Sequence, residues 1–187
     1  MKPIVLVPLG DADRTLVSDL RDALEQKLVA PVEVREAALD LERFYSTERV
    51  QYNSSEIIQA LQRFSPPLTD GKHSKVLAVV REDLFIPILT YVFGEAELDG
   101  EFAVVSYHRL QNAAYGLPPN PALEFDRLLK EALHEVGHTL GLIHCTSLDC
   151  VMHTSTYVED IDLKQASFCP SCTAFMRKRH LSPHPSH

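Results

Sequence analysis

His134-Glu135-Val136-Gly137-His138-Thr139-Leu140-Gly141-Leu142-Ile143-His144 is the stretch on which the reading of this chain turns. His134 and His138 stand four apart, so on a helix they share one face about one turn apart, and both imidazoles can reach a single ion. Zinc takes such nitrogen ligands at ~2.0–2.1 Å and keeps a position open in catalytic sites. Glu135 follows His134 but points ~100° further round the helix axis. There it is badly placed as a third ligand and well placed to touch a water on the ion, as a general base must. If the helix simply continued, His144 would lie ~15 Å along the axis from His134, out of reach of the same metal. The chain must turn back first, and Gly141 stands where the turn is required, since glycine accepts a positive φ at a helix C-terminus without a Cβ clash. The expected arrangement is helix, glycine turn, third histidine, with His134, His138 and His144 as ligands of a catalytic zinc and Glu135 as base. A bare His-Glu-x-x-His would equally suit a surface helix with i,i+4 pairs; Gly141 and His144 make the longer pattern much more demanding.

Outward from this segment, Leu128, Leu129, Ala132, Leu133 and Val136 supply apolar positions for a helix from about Pro121 to Leu140, preceded by a Pro-, Gly- and Asn-rich loop over Asn112–Pro121. At the other end of the chain, Ile4-Val5-Leu6-Val7 is a continuous apolar run that suits a strand buried on both faces. Residues 13–28 follow with Leu16, Leu20, Ala23, Leu24 and Leu28 at helical spacing; Pro31 ends that helix, and Val32 and Val34 alternate with charges as a strand does. This is a βαβ opening and implies an α/β fold, a parallel sheet covered by helices. A second helix is expected over residues 54–64, capped by Ser54 or Ser55 and stopped at Ser65-Pro66-Pro67. Lys75–Val80 reads as a further buried strand, and Tyr91–Leu98 with Phe102–Arg109 as a hairpin about Asp99-Gly100.

All four cysteines lie downstream of the three motif histidines, at 145, 150, 169 and 172. Two close pairs separated by a loop suggest a structural zinc held by the four thiolates of Cys145, Cys150, Cys169 and Cys172, which closes the coordination sphere against chemistry. Buried free thiols, or a redox pair at Cys169 and Cys172, are the other readings. Redox pairs belong at the start of a helix after a strand, and here the pair follows a polar stretch. His73, His108, His153 and His180 have no partner at ligand spacing and read as structural or exposed.

Composition bounds the rest. The chain has 187 residues, 45% of them hydrophobic and 24% charged, enough for one domain with a sizeable core and too apolar for global disorder. A formal net charge of −8 disfavours binding to a nucleic-acid backbone. The one basic run, Arg177-Lys178-Arg179, reads as a solvated helix face or tail. No apolar run approaches the ~18 residues of a membrane span, and the first residues lack a signal-peptide pattern, so a cytoplasmic protein with reduced or metal-bound cysteines is expected. Ser182-Pro183-His184-Pro185-Ser186-His187 reads as a disordered tail.

Taken together, the histidine motif, Cys145 directly after it, Cys150-Val151-Met152, Cys169-Pro170-Ser171-Cys172, Gln51-Tyr52-Asn53-Ser54 and Phe93-Gly94-Glu95-Ala96-Glu97-Leu98 resemble the archaemetzincins, a branch of the metzincin clan of zinc peptidases. The resemblance runs from about 50 to 172. It implies an α+β metzincin-like version of the α/β fold: a twisted, mostly parallel sheet with one antiparallel edge strand, here Tyr91–Leu98, backed by an active-site helix. An extended peptide would pair with that edge and lie across the zinc. The resemblance also implies that Met152 is the methionine of a turn beneath the metal, and that the four cysteines hold a second zinc. Some metzincins use a tyrosine shortly after that turn to stabilise the oxyanion, and Tyr157 is nearby in sequence.

The resulting expectation is a zinc-dependent peptidase with two zinc ions per chain, one catalytic and one structural. It would hydrolyse peptide bonds with a zinc-activated water and Glu135 as base. Its partners would be peptide or protein substrates, with no nucleic acid and no membrane. One metallopeptidase domain is expected over 1–180, with the sheet and active-site helix in 1–141 and a zinc-clamped C-terminal subdomain in 142–180; 181–187 is a tail. The alternatives are a zinc-stabilised peptide-binding module, which would have no use for Glu135, a redox or metal-storage protein built on the cysteines, and a hydrolase of a non-peptide amide.

Overall fold

The period-two pattern of the apolar strands organises the molecule. The computed structural model describes residues 3–63 and 74–181. Among them the strands are β1 (Ile4–Pro8), β2 (Val32–Val34), β3 (Tyr45–Ser46), β4 (Gln51–Asn53), β5 (Lys75–Val80), β6 (Leu84–Phe85), β7 (Gly94–Ala96) and β8 (Phe102–Ser106). The helices are α1 (Arg14–Leu28), α2 (Ser54–Arg63), α3 (Pro121–Thr139), α4 (Val158–Leu163) and α5 (Pro170–Leu181).

The main sheet has the order β2-β1-β5-β8-β7. β2, β1, β5 and β8 are parallel, and β7 runs antiparallel to β8 at the edge. Ile4, Leu6, Leu77, Val79, Ala103 and Val105 point to one face, into a core shared with α1 and α3. Val5, Val7, Val76, Ala78, Val80 and Val104 point to the other, where Ile57, Ile58 and Leu61 of α2 cover them. Burial of both faces is what parallel strands with helical crossovers require, and it is why their sequences read as unbroken apolar runs. The α/β class, the mostly parallel sheet and the single antiparallel edge strand are as expected from sequence.

Local chemistry sets the helix ends. Asp13 caps α1, its Oδ1 accepting from the N–H of Thr15 at 2.8 Å and of Leu16 at 3.2 Å. Asn120 caps α3 and Pro121 opens it, a residue whose missing N–H costs nothing in the first turn. The cap of α2 differs from expectation. Asn53 Oδ1 accepts from the N–H of Ser55 and Glu56, while the Ser54 and Ser55 hydroxyls both donate to the Glu95 carboxylate, at 2.5 and 2.8 Å. A short polar side chain at a helix start can satisfy either its own backbone or a distant acceptor, and here the tertiary partner took the serines.

Other differences are smaller. The hairpin is shorter than read: Tyr91 and Val92 leave the ladder, Val92 forming an isolated bridge to Leu84, and residues 108–110 form a 3₁₀ turn. The loop over Asn112–Pro121 contains a 3₁₀ turn at Asn112–Tyr115. A second sheet, β3-β4-β6, was not anticipated; its strands are two or three residues long, too short for periodicity to register. The proposed stop at Ser65-Pro66-Pro67, His73 and the tail 182–187 lie outside the described residues. α5 continues through Leu181, one residue past the boundary expected for the folded part.

Candidate metal centres and cleft

α3 passes through the middle of the protein, and its C-terminal half delivers the first two histidines. His134 is buried and His138 partly so, one turn apart as the spacing requires. The helix then stops in a Schellman arrangement: the Gly141 N–H donates to His138 O at 2.9 Å and the Leu142 N–H to Gly137 O at 3.0 Å, with Gly141 at φ +89°. This reversal folds the next residues back, so that His144 faces the other two. Ring centroids of His144 lie 5.3 Å from His134 and 5.0 Å from His138.

The hydrogen bonds fix how these rings present themselves. His134 Nδ1 lies 2.8 Å from Val151 O, and His138 Nδ1 lies 2.8 Å from Leu142 O. A carbonyl only accepts, so each Nδ1 carries the hydrogen and each Nε2 presents a bare lone pair. The two Nε2 atoms face each other at 3.0 Å with no hydrogen to share. Burial pushes the pKa of both imidazoles down, that of His134 well below the ordinary range, so neither readily gains a proton to relieve the contact. One ligand nitrogen from each of the three histidines falls within 4.8 Å of the others. Two bare imidazole lone pairs that converge in this way, with a His144 nitrogen beside them, repel one another unless a cation stands among them. A zinc ion with ligands at ~2.05 Å would set tetrahedral nitrogens ~3.3 Å apart. The donor set and its spacing fit such an ion.

Glu135 is buried beside them, its side chain turned toward β7. A Cβ on Gly94 would stand 2.6 Å from Glu135 Oε1 and 2.7 Å from Val104 O, so the edge strand can pass over this carboxylate only with glycine there. Burial, followed by the neighbouring Glu131 carboxylate, raises the Glu135 pKa well above the usual range, while Lys164 works against that rise. The three histidines, Glu131 and Glu135 line a cleft of about 690 Å³. Tyr91–Ala96 form one wall and Thr154–Tyr157 the other, and the Tyr91 hydroxyl donates across to Thr156 O at 2.9 Å. Tyr157 is on that second wall and 63% exposed.

Met152 is fully buried under α3, where Gly137 leaves room for its sulfur. The segment that carries Met152 also begins the cysteine cluster. Cys145 Sγ lies 3.8 Å from Cys169 Sγ, and Cys150 Sγ 3.8 Å from Cys172 Sγ, with all four sulfurs within 4.8 Å of one another. Disulfides need ~2.05 Å, whereas four thiolates ~2.3 Å from one tetrahedral ion stand ~3.8 Å apart. The group could therefore hold a metal. Contrary to the sequence reading, the Cys169–Cys172 pair does sit at the start of a helix, α5. The Cys172 N–H there, with lesser contributions from the other thiols, draws the Cys169 thiol down to about 7. The other two cysteines, brought up by the chain reversal after Met152, make it a four-sulfur cluster instead of a pair.

Among the other histidines, His108 is exposed and His153 is structural, its Nδ1 donating to Cys145 O at 2.9 Å. Arg179 is not simply solvated: its Nη2 bridges both oxygens of Asp99 at 2.6 Å. Sequence reasoning missed Gly94, Glu131 and Lys164. Only Gly94 left a trace, as part of the segment Phe93–Leu98 singled out by resemblance. Among the described residues, no helix is long and apolar enough to cross a membrane.

The model of a family described as peptidase family M54 matches residues 14–178. An archaemetzincin from Methanocaldococcus jannaschii is 43% identical over 135 residues, 72% of this chain and 71% of that protein. The crystal structure of the archaemetzincin from Methanopyrus kandleri superposes with a TM-score of 0.81 at 32% identity, covering 97% of this chain and 96% of its own. That of a zinc-dependent peptidase from Methanocorpusculum labreanum gives a TM-score of 0.85 at 29% identity, covering 92% and 99%.

Proposed function

The chain belongs to peptidase family M54 and is a zinc metallopeptidase of the archaemetzincin kind, and we propose that it cleaves peptide bonds at the three-histidine centre with Glu135 as general base. The observation that carries this reading is the pair of bare Nε2 lone pairs facing at 3.0 Å, with His144 and the Glu135 carboxylate beside them in one cleft.

His134, His138 and His144 would hold the catalytic zinc. When bound, that ion supplies polarisation of the scissile carbonyl and lowers the pKa of water at its open position toward ~7. Glu135 takes the proton from the attacking water and returns it to the leaving amine. Its buried setting supports this work, because burial raises the Glu135 pKa and makes its carboxylate a stronger base toward the proton of the attacking water. β7 ends the sheet, so a substrate in extended form can pair with its outer edge and lie along the histidines. The substrate is a peptide or a protein segment.

The second zinc, at Cys145, Cys150, Cys169 and Cys172, would be structural. It would tie residues 142–180 into a subdomain against the body formed by 1–141. Thiols at metal-ligand and not disulfide spacing favour a reducing, cytoplasmic setting.

Cleavage of a diverse peptide library by wild type and Glu135→Ala in parallel tests the reading. The expected result is products from wild type and a loss of about 10²–10⁴-fold in the variant, with the zinc count unchanged. Full activity of Glu135→Ala would remove the base assignment. Zinc-loaded wild type without products would point to peptide binding without turnover.

A further inference from the structure

Lys164 is the largest fully buried side chain in the described structure, and its surroundings give it a task. The ammonium has three hydrogens and spends them on three acceptors: Glu131 Oε1 at 3.0 Å, His153 O at 3.1 Å and Val151 O at 3.3 Å. Side-chain exposure is 0% for Lys164 and 5% for Glu131, so this is an ion pair out of water. Such a pair gives little net stability, because desolvating both charges offsets their attraction. What it does provide here is geometry.

Two of the three acceptors are the carbonyls on either side of Met152. One of them, Val151 O, also receives the Nδ1 hydrogen of His134 at 2.8 Å. That carbonyl has two lone pairs, and His134 and Lys164 fill both. Glu131, the third acceptor, sits on α3 one turn before His134 and Glu135. The ammonium thus links α3, through Glu131, to the turn carrying Met152, and holds in place the carbonyl that sets the His134 ring. We propose that Lys164, with Glu131 as its anchor, is a positioning residue for the three-histidine centre, fixing the orientation of His134 and the depth of the 151–153 turn beneath it. Outer-shell partners of metal-bound histidines typically alter metal affinity by about 10–100-fold when removed.

The inference rests on the three-histidine centre being a metal site, so that is measured first. Zinc affinity at this centre is read by competition with a chromophoric chelator, the tighter four-cysteine zinc left in place, in wild type and His138→Ala. Absence of a histidine-dependent site in wild type would overturn the function reading together with this one. Given that site, Lys164→Met is expected to weaken its zinc affinity by about 10–100-fold and to change the absorption spectrum of cobalt loaded there, leaving the cysteine-bound zinc intact. Because Lys164→Met leaves Glu131 buried and unpaired, the single variant can fail to fold. The double variant Glu131→Met/Lys164→Met removes both charges and is expected to regain thermal stability without regaining the zinc affinity or the cobalt spectrum. If the double variant folds and binds zinc as wild type does, the pair is merely structural and the positioning role is wrong.

Discussion

The two cysteine- and histidine-built clusters of this chain are joined by a single peptide bond, His144 to Cys145, and differ in almost every physical respect. The cysteine cluster has four ligand atoms spaced as a closed tetrahedron, two of them on buried residues. The histidine cluster has three, opens to a cleft, and keeps a carboxylate beside the gap. Ligand number alone separates them: four thiolates leave nothing for substrate, while three imidazoles leave one position. The supports also differ. The sulfurs depend on chain segments 19 or more residues apart being brought together, so a metal held there would be coupled to folding. The histidines sit on a buried helix and a Schellman turn that backbone hydrogen bonds hold.

Removing one ligand from each cluster breaks this comparison most strongly. Cys172→Ala should destabilise the protein by about 3 kcal/mol or more, with a fall in Tm on the order of 10 °C, because metal binding at a thiolate site is folding free energy. His138→Ala should leave Tm within a few degrees of wild type and reduce peptide cleavage by about 10³-fold or more, since several kcal/mol of charge stabilisation depart with the metal. Thermal melts and cleavage rates of both variants check this. Equal losses of stability would mean that the histidine centre, too, is needed for the fold.

The same contrast explains what could be read from sequence. The clustering of the three histidines was legible because they, Glu135 and the turn occupy eleven consecutive residues whose relative positions follow from one helix and one glycine turn. The cysteine cluster was legible by residue type and by clustering, and the sheet by runs such as Ile4–Val7 and Lys75–Val80, which only strands buried on both faces explain. What stayed hidden depends on distant partners. Lys164 follows Asp162 and Leu163 at the end of a short helix and looks like any exposed cation; its partner Glu131 is 33 positions away. Ser54 has the type expected of a cap, yet its hydroxyl goes to Glu95, 41 positions on. β3 and β6 are two residues long and carry no period.

Gly94 sharpens the comparison at the open side of the histidine centre. It stands on the edge strand where an added methyl would meet the Glu135 carboxylate at 2.6 Å and the backbone at Val104 O. Gly94→Ala should displace Glu135, lowering kcat by about 10²-fold, the usual scale for a misplacement of ~1 Å. Zinc content should be unchanged, since the atoms nearest an added methyl belong to Glu135 and Val104. A Gly94→Ala enzyme with wild-type kcat would show that the base has room to spare and that glycine is there for another reason.

The smallest effect concerns the connection between the two regions. α5 starts at the cysteine cluster, and Arg179, near its far end, bridges the Asp99 carboxylate in the hairpin between β7 and β8. The Asp99 backbone N–H in turn donates to His138 O at 2.9 Å, the carbonyl that also accepts from Gly141 in the turn leading to His144. α5 therefore reaches the hairpin beside the edge strand and, through Asp99, the turn leading to His144. The bridge is exposed, 38% at Arg179 and 53% at Asp99, so its contribution to stability is only about 0.2–1 kcal/mol. Arg179→Ala should lower Tm by about 4 °C or less. Its signature should be kinetic: KM for peptides rises a few-fold while kcat holds, because the hairpin beside the substrate edge loses its tether and the catalytic ligands keep theirs. An unchanged KM with the same small drop in Tm would mean that α5 only covers the turn, and that the cysteine cluster stabilises the fold without reaching the cleft.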